Sequence, residues 1–169
     1  MKRSSAKKGS SGATLIEAII AMGVLAVAVP LVLGTIAEGG KSGMSAEAET
    51  RSTWMVSACI SEINASRVGQ SQFFSATMIG QPFPPAGDVW ALAFSPEGKL
   101  IGRLSKSQHD KGVKELDREP VRFIAVLSAS TQATTSGSVP LLKTRVSIQY
   151  PSALPAERRS KLDYHTIIP

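Results

Sequence analysis

The sequence predicts an α+β protein, a long N-terminal helix packed on a small antiparallel β-sheet. Two observations predict it. An apolar run begins at Ala13, and helical spacing of apolar residues then continues to about residue 68. From Gln70 the texture changes to short strand-like segments separated by turns rich in Gly, Pro and Ser. A helix followed by hairpin-connected strands fits one domain in 169 residues. The expected division is residues 1–12 as a leader, 13–68 as the helix with 13–37 apolar, and 69–169 as the sheet-bearing part.

The helix starts in a basic context. Lys2, Arg3, Lys7 and Lys8 precede Ala13 with no acid among them, and these four charges supply most of the net +6. The basic excess is therefore local, and nucleic acid is not an expected partner. Ala18–Leu33 is sixteen residues without a charge, and Ala13–Ala37 is twenty-five with only Glu17 ionisable. These spans reach roughly 24 and 37 Å as helix, against a hydrocarbon core of about 30 Å. Basic residues on the N-terminal side predict that this end stays in the cytoplasm. The aliphatic residues of the run favour insertion by a total on the order of 3–5 kcal/mol. A central acid would cost roughly 2.5–3.5 kcal/mol, and less at the membrane edge where Glu17 falls. The segment should insert with Glu17 present. Glu17 has no evident partner within the chain, which invites a functional explanation.

Pro30 predicts a kink or local melting of the helix. Gly34, Gly39, Gly40 and Gly43, each costing about 1 kcal/mol relative to alanine, predict a bend or short interruption. The pattern resumes at Met44, with Ala48, Met55, Cys59 and Ile63 on one stripe flanked by Val56 and Ile60. Glu47, Arg51 and Glu62 are expected to face outward, with Glu47 and Arg51 paired four residues apart. The helix should end within Asn64–Gly69.

The sheet is expected from the following segments. Val89–Phe94 and Leu100–Leu104 read as a hairpin around Ser95–Lys99, and Gln81–Gly87 as a proline-rich loop. Lys106–Arg118 reads as a charged loop carrying a solvated His109. Val121–Ala129 reads as an apolar strand and Thr131–Ser138 as a polar turn region. Leu141–Tyr150 alternates, with Leu142, Thr144, Val146, Ile148 and Tyr150 on one face and Lys143, Arg145, Ser147 and Gln149 on the other. Tyr164–Ile168 is the expected last strand. The lone cysteine, Cys59, allows no intrachain disulfide and reads as a small apolar helix residue.

The residues Gly12-Ala13-Thr14-Leu15-Ile16-Glu17, with basic residues before and an apolar run after, resemble the prepilin signal of type IV pilin-like proteins. The resemblance implies cleavage between Gly12 and Ala13 by a prepilin peptidase, methylation of the Ala13 amino group, and retention of the apolar segment. Ala13 stands where most members of the family carry phenylalanine. It implies that Glu17 serves subunit assembly by meeting the Ala13 ammonium of a neighbouring subunit. At about 4 Å that attraction is about 4 kcal/mol at an effective dielectric of 20, partly offset by desolvation. The implied partners are other pilin or pseudopilin subunits, the peptidase and the inner membrane. The implied location is the bacterial inner membrane, spanned once with a cytoplasmic N-terminus and a periplasmic C-terminal domain, and then a pilus or pseudopilus. The absence of a C-terminal disulfide resembles minor pilins and type II secretion pseudopilins. More narrowly, the small C-terminal part and the Phe94-Ser-Pro-Glu-Gly98 turn resemble the pilin-like Verru_Chthon cassette protein B family, well over the helix and weakly over the strands.

Rival readings of the amino terminus are a secretory signal peptide, cleaved loosely around Ala37–Gly43, and a plain signal anchor. Neither accounts for Glu17. No catalytic residue, cofactor or metal is expected. His109 and His165 lie in unrelated segments, and the sequence contains no nucleophile elbow, phosphate-binding loop or paired metal-ligand spacing. Arg158, Arg159 and Lys161 form a basic cluster with Tyr164 and His165 close behind. It reads as a solvated turn, with contact to DNA or to an acidic subunit surface as the alternative.

Overall fold

The computed structural model describes residues 14–75, 83–85, 87–132 and 141–168. Helix α1 spans Leu15–Arg67 and belongs to two units of the chain, which divide between Gly43 and Met44. The helix is continuous through Pro30 and the four glycines, so of the expected outcomes neither local melting nor an interruption occurs. A proline removes one backbone hydrogen bond and a glycine weakens the helix without forbidding it, so the flanking turns carry the helix through.

In the first unit the helix is exposed from Leu15 to Gly40. Thirteen of the seventeen large exposed apolar side chains among the described residues lie between Leu15 and Ile36, so the apolar surface of the chain is concentrated here. By length and composition this segment can cross a membrane.

The second unit is the α+β part. On the α1 residues within it, Ala48, Met55, Cys59 and Ile63 are buried as their spacing predicts, and Ser52 and Ser66 complete the stripe. The buried serine at 52 is satisfied. It donates to the Glu49 carbonyl at 2.6 Å and accepts from the Tyr164 hydroxyl at 2.7 Å. The helix ends in a Schellman motif, with Gly69 at φ 70°, its N–H on the Ser66 carbonyl at 3.1 Å and the Gln70 N–H on the Ala65 carbonyl at 2.8 Å.

Among the described residues seven strands follow: β1 (Trp90–Phe94), β2 (Leu100–Leu104), β3 (Glu115–Leu116), β4 (Glu119–Pro120), β5 (Phe123–Gln132), β6 (Leu141–Tyr150) and β7 (Ser160–Ile168). Five of them form an antiparallel sheet in the order β2-β1-β5-β6-β7, and β3 and β4 form a separate hairpin. The predicted β1–β2 hairpin is present, with Gly98 at φ 83° in its turn. The last strand begins four residues before the expected Tyr164.

One face of the sheet packs against α1. Trp90 lies at the centre of that core, stacked on Phe74 with ring centroids 4.0 Å apart and met edge-on by Phe83 at 3.9 Å. Phe123, Ala125, Leu127, Val146 and Ile148 surround it. A second, smaller apolar cluster of Ala91, Ala93, Leu104, Val121 and Ile124 occupies the opposite face. Val113 and Leu116 pack against that cluster from the segment between β2 and β5, which also holds helix α2 (Lys106–Lys111). This corrects the reading of Lys106–Arg118 as a plain charged loop. Ser105 and Gln108 form a capping box at the start of α2, and Asp117 and Arg118, at φ 51° and 69°, make the β3–β4 turn.

Candidate functional site

The sequence nominates the amino-terminal end of α1. Gly12 and Ala13, the expected cleavage and methylation positions, lie outside the described residues. Glu17 lies in the first turn of the helix. Thr14 caps that turn: its N–H and hydroxyl reach one Glu17 carboxylate oxygen at 2.9 and 3.3 Å, while the Glu17 N–H approaches the Thr14 hydroxyl at 3.4 Å. This is a capping box, Thr-x-x-Glu, in which threonine and glutamate satisfy amide groups that a helix start leaves open. It corrects the expectation that Glu17 has no partner within the chain. The spacing that signals it was present in the sequence, overshadowed by the apolar context.

The first unit therefore presents an exposed apolar stretch, Leu15–Ala37, whose one acid, Glu17, is held at its front edge. Chemically the carboxylate can still accept further hydrogen bonds or pair with a cation, because a carboxylate carries about four lone-pair positions and the residue is exposed.

The second unit places the histidines and the basic cluster differently from the sequence reading. His109 is buried, not solvated. Its Nδ1 lies 2.9 Å from Asp110 Oδ1 and its Nε2 lies 3.3 Å from Gln149 Oε1. Arg159 is buried as well, and so leaves the solvated cluster to Arg158 and Lys161. Its guanidinium donates to the Leu154 carbonyl at 2.7 Å, to Gln149 Oε1 at 3.0 Å and to the His109 carbonyl. Burial pulls its affinity for the proton below the ordinary value, and the nearby Asp110 carboxylate opposes this. Gly112 fits the same corner closely: a Cβ there would lie 2.6 Å from the Leu154 carbonyl oxygen. The side chains of His109, Asp110, Gln149 and Arg159 join α2, β6 and the loop before β7 by hydrogen bonds, an arrangement that fixes structure, with Asp110 at its exposed edge.

The same corner accounts for Gln149, one of two departures of β6 from simple alternation. Thr144, Val146, Ile148 and Tyr150 are buried on the α1 face as expected, but Ser147 and Gln149 are buried too. Glu47 also departs from its outward reading. It pairs with Arg51 at 3.6 Å as expected and with Arg122 at 3.5 Å, tying α1 to the residue before β5.

Cys59 is buried, and burial pushes its thiol well above the ordinary range, with Glu62 adding to the effect. A thiol in that state is a poor nucleophile. Among the described residues no three His, Cys, Asp or Glu side chains gather as a metal-binding group. Searches against protein-family models, curated proteins and solved structures return no match to this chain.

Proposed function

We propose that this chain is a minor pilin or pseudopilin subunit, processed after Gly12 and held in the inner membrane by the first half of α1. From there it joins a type IV pilus or a type II secretion pseudopilus through that helix. The observation that carries this reading is the exposed apolar stretch Leu15–Ile36 within the same helix that holds the sheet-bearing part. A helix apolar on all sides needs lipid or other apolar helices around it, and a subunit that moves from membrane to filament exchanges one for the other. The Gly12-to-Glu17 spacing and the basic residues before it support the processing step.

Two measurements test it. Amino-terminal mass analysis of protein from membranes should show a chain that begins at Ala13 with one added methyl group, and a start beyond residue 36 would end the reading. Glu17→Ala should insert and fold, yet lose co-purification of tagged with untagged subunits. Glu17→Gln should behave like Glu17→Ala if charge carries the contact, and like the unchanged chain if shape does. Full co-purification of both variants would remove Glu17 from assembly.

A further inference from the structure

The outer flank of α1 in the second unit carries a side chain that neither the core nor the anchor uses. Trp54 is 78% exposed, although a buried tryptophan would remove 150–250 Å² or so from water. Thr50 and Ala46, one and two turns earlier, leave an open shelf beside the indole, and Glu97 from the β1–β2 turn lines the same hollow with Glu47 and Arg51, which pair with each other at 3.6 Å. The Glu97 carboxylate accepts from the Ser95 hydroxyl at 2.7 Å, and this bond first, with its own backbone N–H second, holds it below the usual carboxylate range. It is therefore charged at neutral pH. An indole face beside a fixed carboxylate attracts a cation through both the ring quadrupole and the charge.

The same unit offers such a cation. On the sheet face away from α1, the part beyond the second apolar cluster is polar, and Ser128, Ser130, Lys143, Arg145 and His165 line a shallow depression. The register sets them side by side, with Ser128 opposite Arg145, Ser130 opposite Lys143 and Arg145 opposite His165. Arg145 is already engaged, donating to Asp163 at 2.7 Å. Lys143 is exposed and makes no side-chain hydrogen bond or ion pair among the described residues.

We propose that these two surfaces bind each other between copies of the chain, the Trp54–Glu97 flank of one copy receiving Lys143 from the sheet face of the next. The contact rests on the subunit reading above and names its partner in the second unit. An aromatic anchor ringed by polar groups is the usual anatomy of an interface hot spot. Because the two patches are different surfaces of one domain, each copy that offers its flank still presents a free sheet face. Such a heterologous contact propagates from copy to copy, along an open chain or around a ring, and does not close as a two-fold pair.

Thiol cross-linking of the full-length chain in membranes tests it. Cys59 is buried with a suppressed thiolate and stays silent towards a bismaleimide. Thr50→Cys and Ser130→Cys place reactive thiols on the two exposed patches. The double variant should yield a ladder of oligomers, mixed single variants should stop at dimers, and each single variant alone should give none. Adding Trp54→Ala or Lys143→Glu to the double variant should weaken the ladder about tenfold. Pairing Lys143→Glu with Glu97→Lys should restore part of it. Dimers from Thr50→Cys alone mean a symmetric contact and overturn the proposal. So does the absence of a ladder where Glu17-dependent co-purification persists, an outcome that leaves the subunit reading intact. A ladder that persists where co-purification shows no dependence on Glu17 sustains this contact and sinks the helix-driven assembly instead.

Discussion

Residues 14–43 and 44–168 share one helix, yet the helix is stabilised differently in each. In the second unit α1 buries a stripe of six residues from Ala48 to Ser66 against a sheet, and apart from the exposed Ala46 and Trp54 its other faces are polar or half-exposed. In the first unit no side chain from Thr14 to Gly40 is buried. Helices in water draw most of their stability from such a packed face, so the first unit lacks the usual source. In a bilayer, which this segment is long and apolar enough to cross, lipid supplies another. In hydrocarbon an unpaired backbone group costs several kcal/mol, which forces the helical state whatever the side chains do. The glycines at 34, 39 and 40 would be a defect under the first regime and are tolerable under the second. The comparison teaches that continuity of secondary structure does not imply continuity of cause.

The largest test of that contrast is to cut the helix where the units divide. A chain of residues 44–169 should stay in solution without detergent and sediment as a monomer at low micromolar concentration, whereas the full chain sediments with membranes. A fragment that needs detergent would show that the second unit carries apolar surface of its own and would break the comparison. A smaller effect is expected inside the second unit alone. Arg159→Ala strands three acceptors in the corner of α2 and β6, and should lower the unfolding free energy by about 1–3 kcal/mol. Arg159→Lys should recover only part, because an ammonium cannot reproduce the planar fork. Urea unfolding of the full chain in detergent reads this, with membrane association unchanged in both variants.

The smallest effect concerns pH. Asp163 is held below the usual carboxylate range first by the hydrogen bond from Arg145 and then by one from Ser147. A depressed carboxylate contributes stability that is full above its unfolded value of about 4 and is lost as pH falls through the lower folded value. The difference between the unchanged chain and Asp163→Asn should therefore be present at neutral pH and vanish in acid below pH 4 or so. Because the pair is partly exposed, the difference should be small and should shrink further in salt. A difference that grows in acid would reverse the sign of this linkage.

What could be read from the sequence followed from short-range periodicity. The stripe of Ala48, Met55, Cys59 and Ile63, the hairpin around Gly98 and the alternation at the start of β6 are each written within one element. What escaped depends on contacts across the chain. His109 and Arg159 lie fifty residues apart, and nothing local marks either as buried. The far-face cluster is likewise packed by Val113 and Leu116, from a segment that looks merely charged when read alone. Two further signals are local, the capping boxes Ser105–Gln108 and Thr14–Glu17, each set in a stretch whose charged or apolar pattern is the stronger one.

The Thr14 cap alters how Glu17 can act in any contact. A group arriving from outside does not meet a bare carboxylate but one already bonded to its own chain. Where the incoming group takes that same oxygen, binding is an exchange of partners, and the free energy released is the difference between two hydrogen-bonded states and not the whole attraction between opposite charges. Differences of that kind are small and reverse readily. If the incoming group displaces Thr14, the first turn of α1 loses its cap and frays, so the local order of the helix start becomes a reporter of whether Glu17 is occupied.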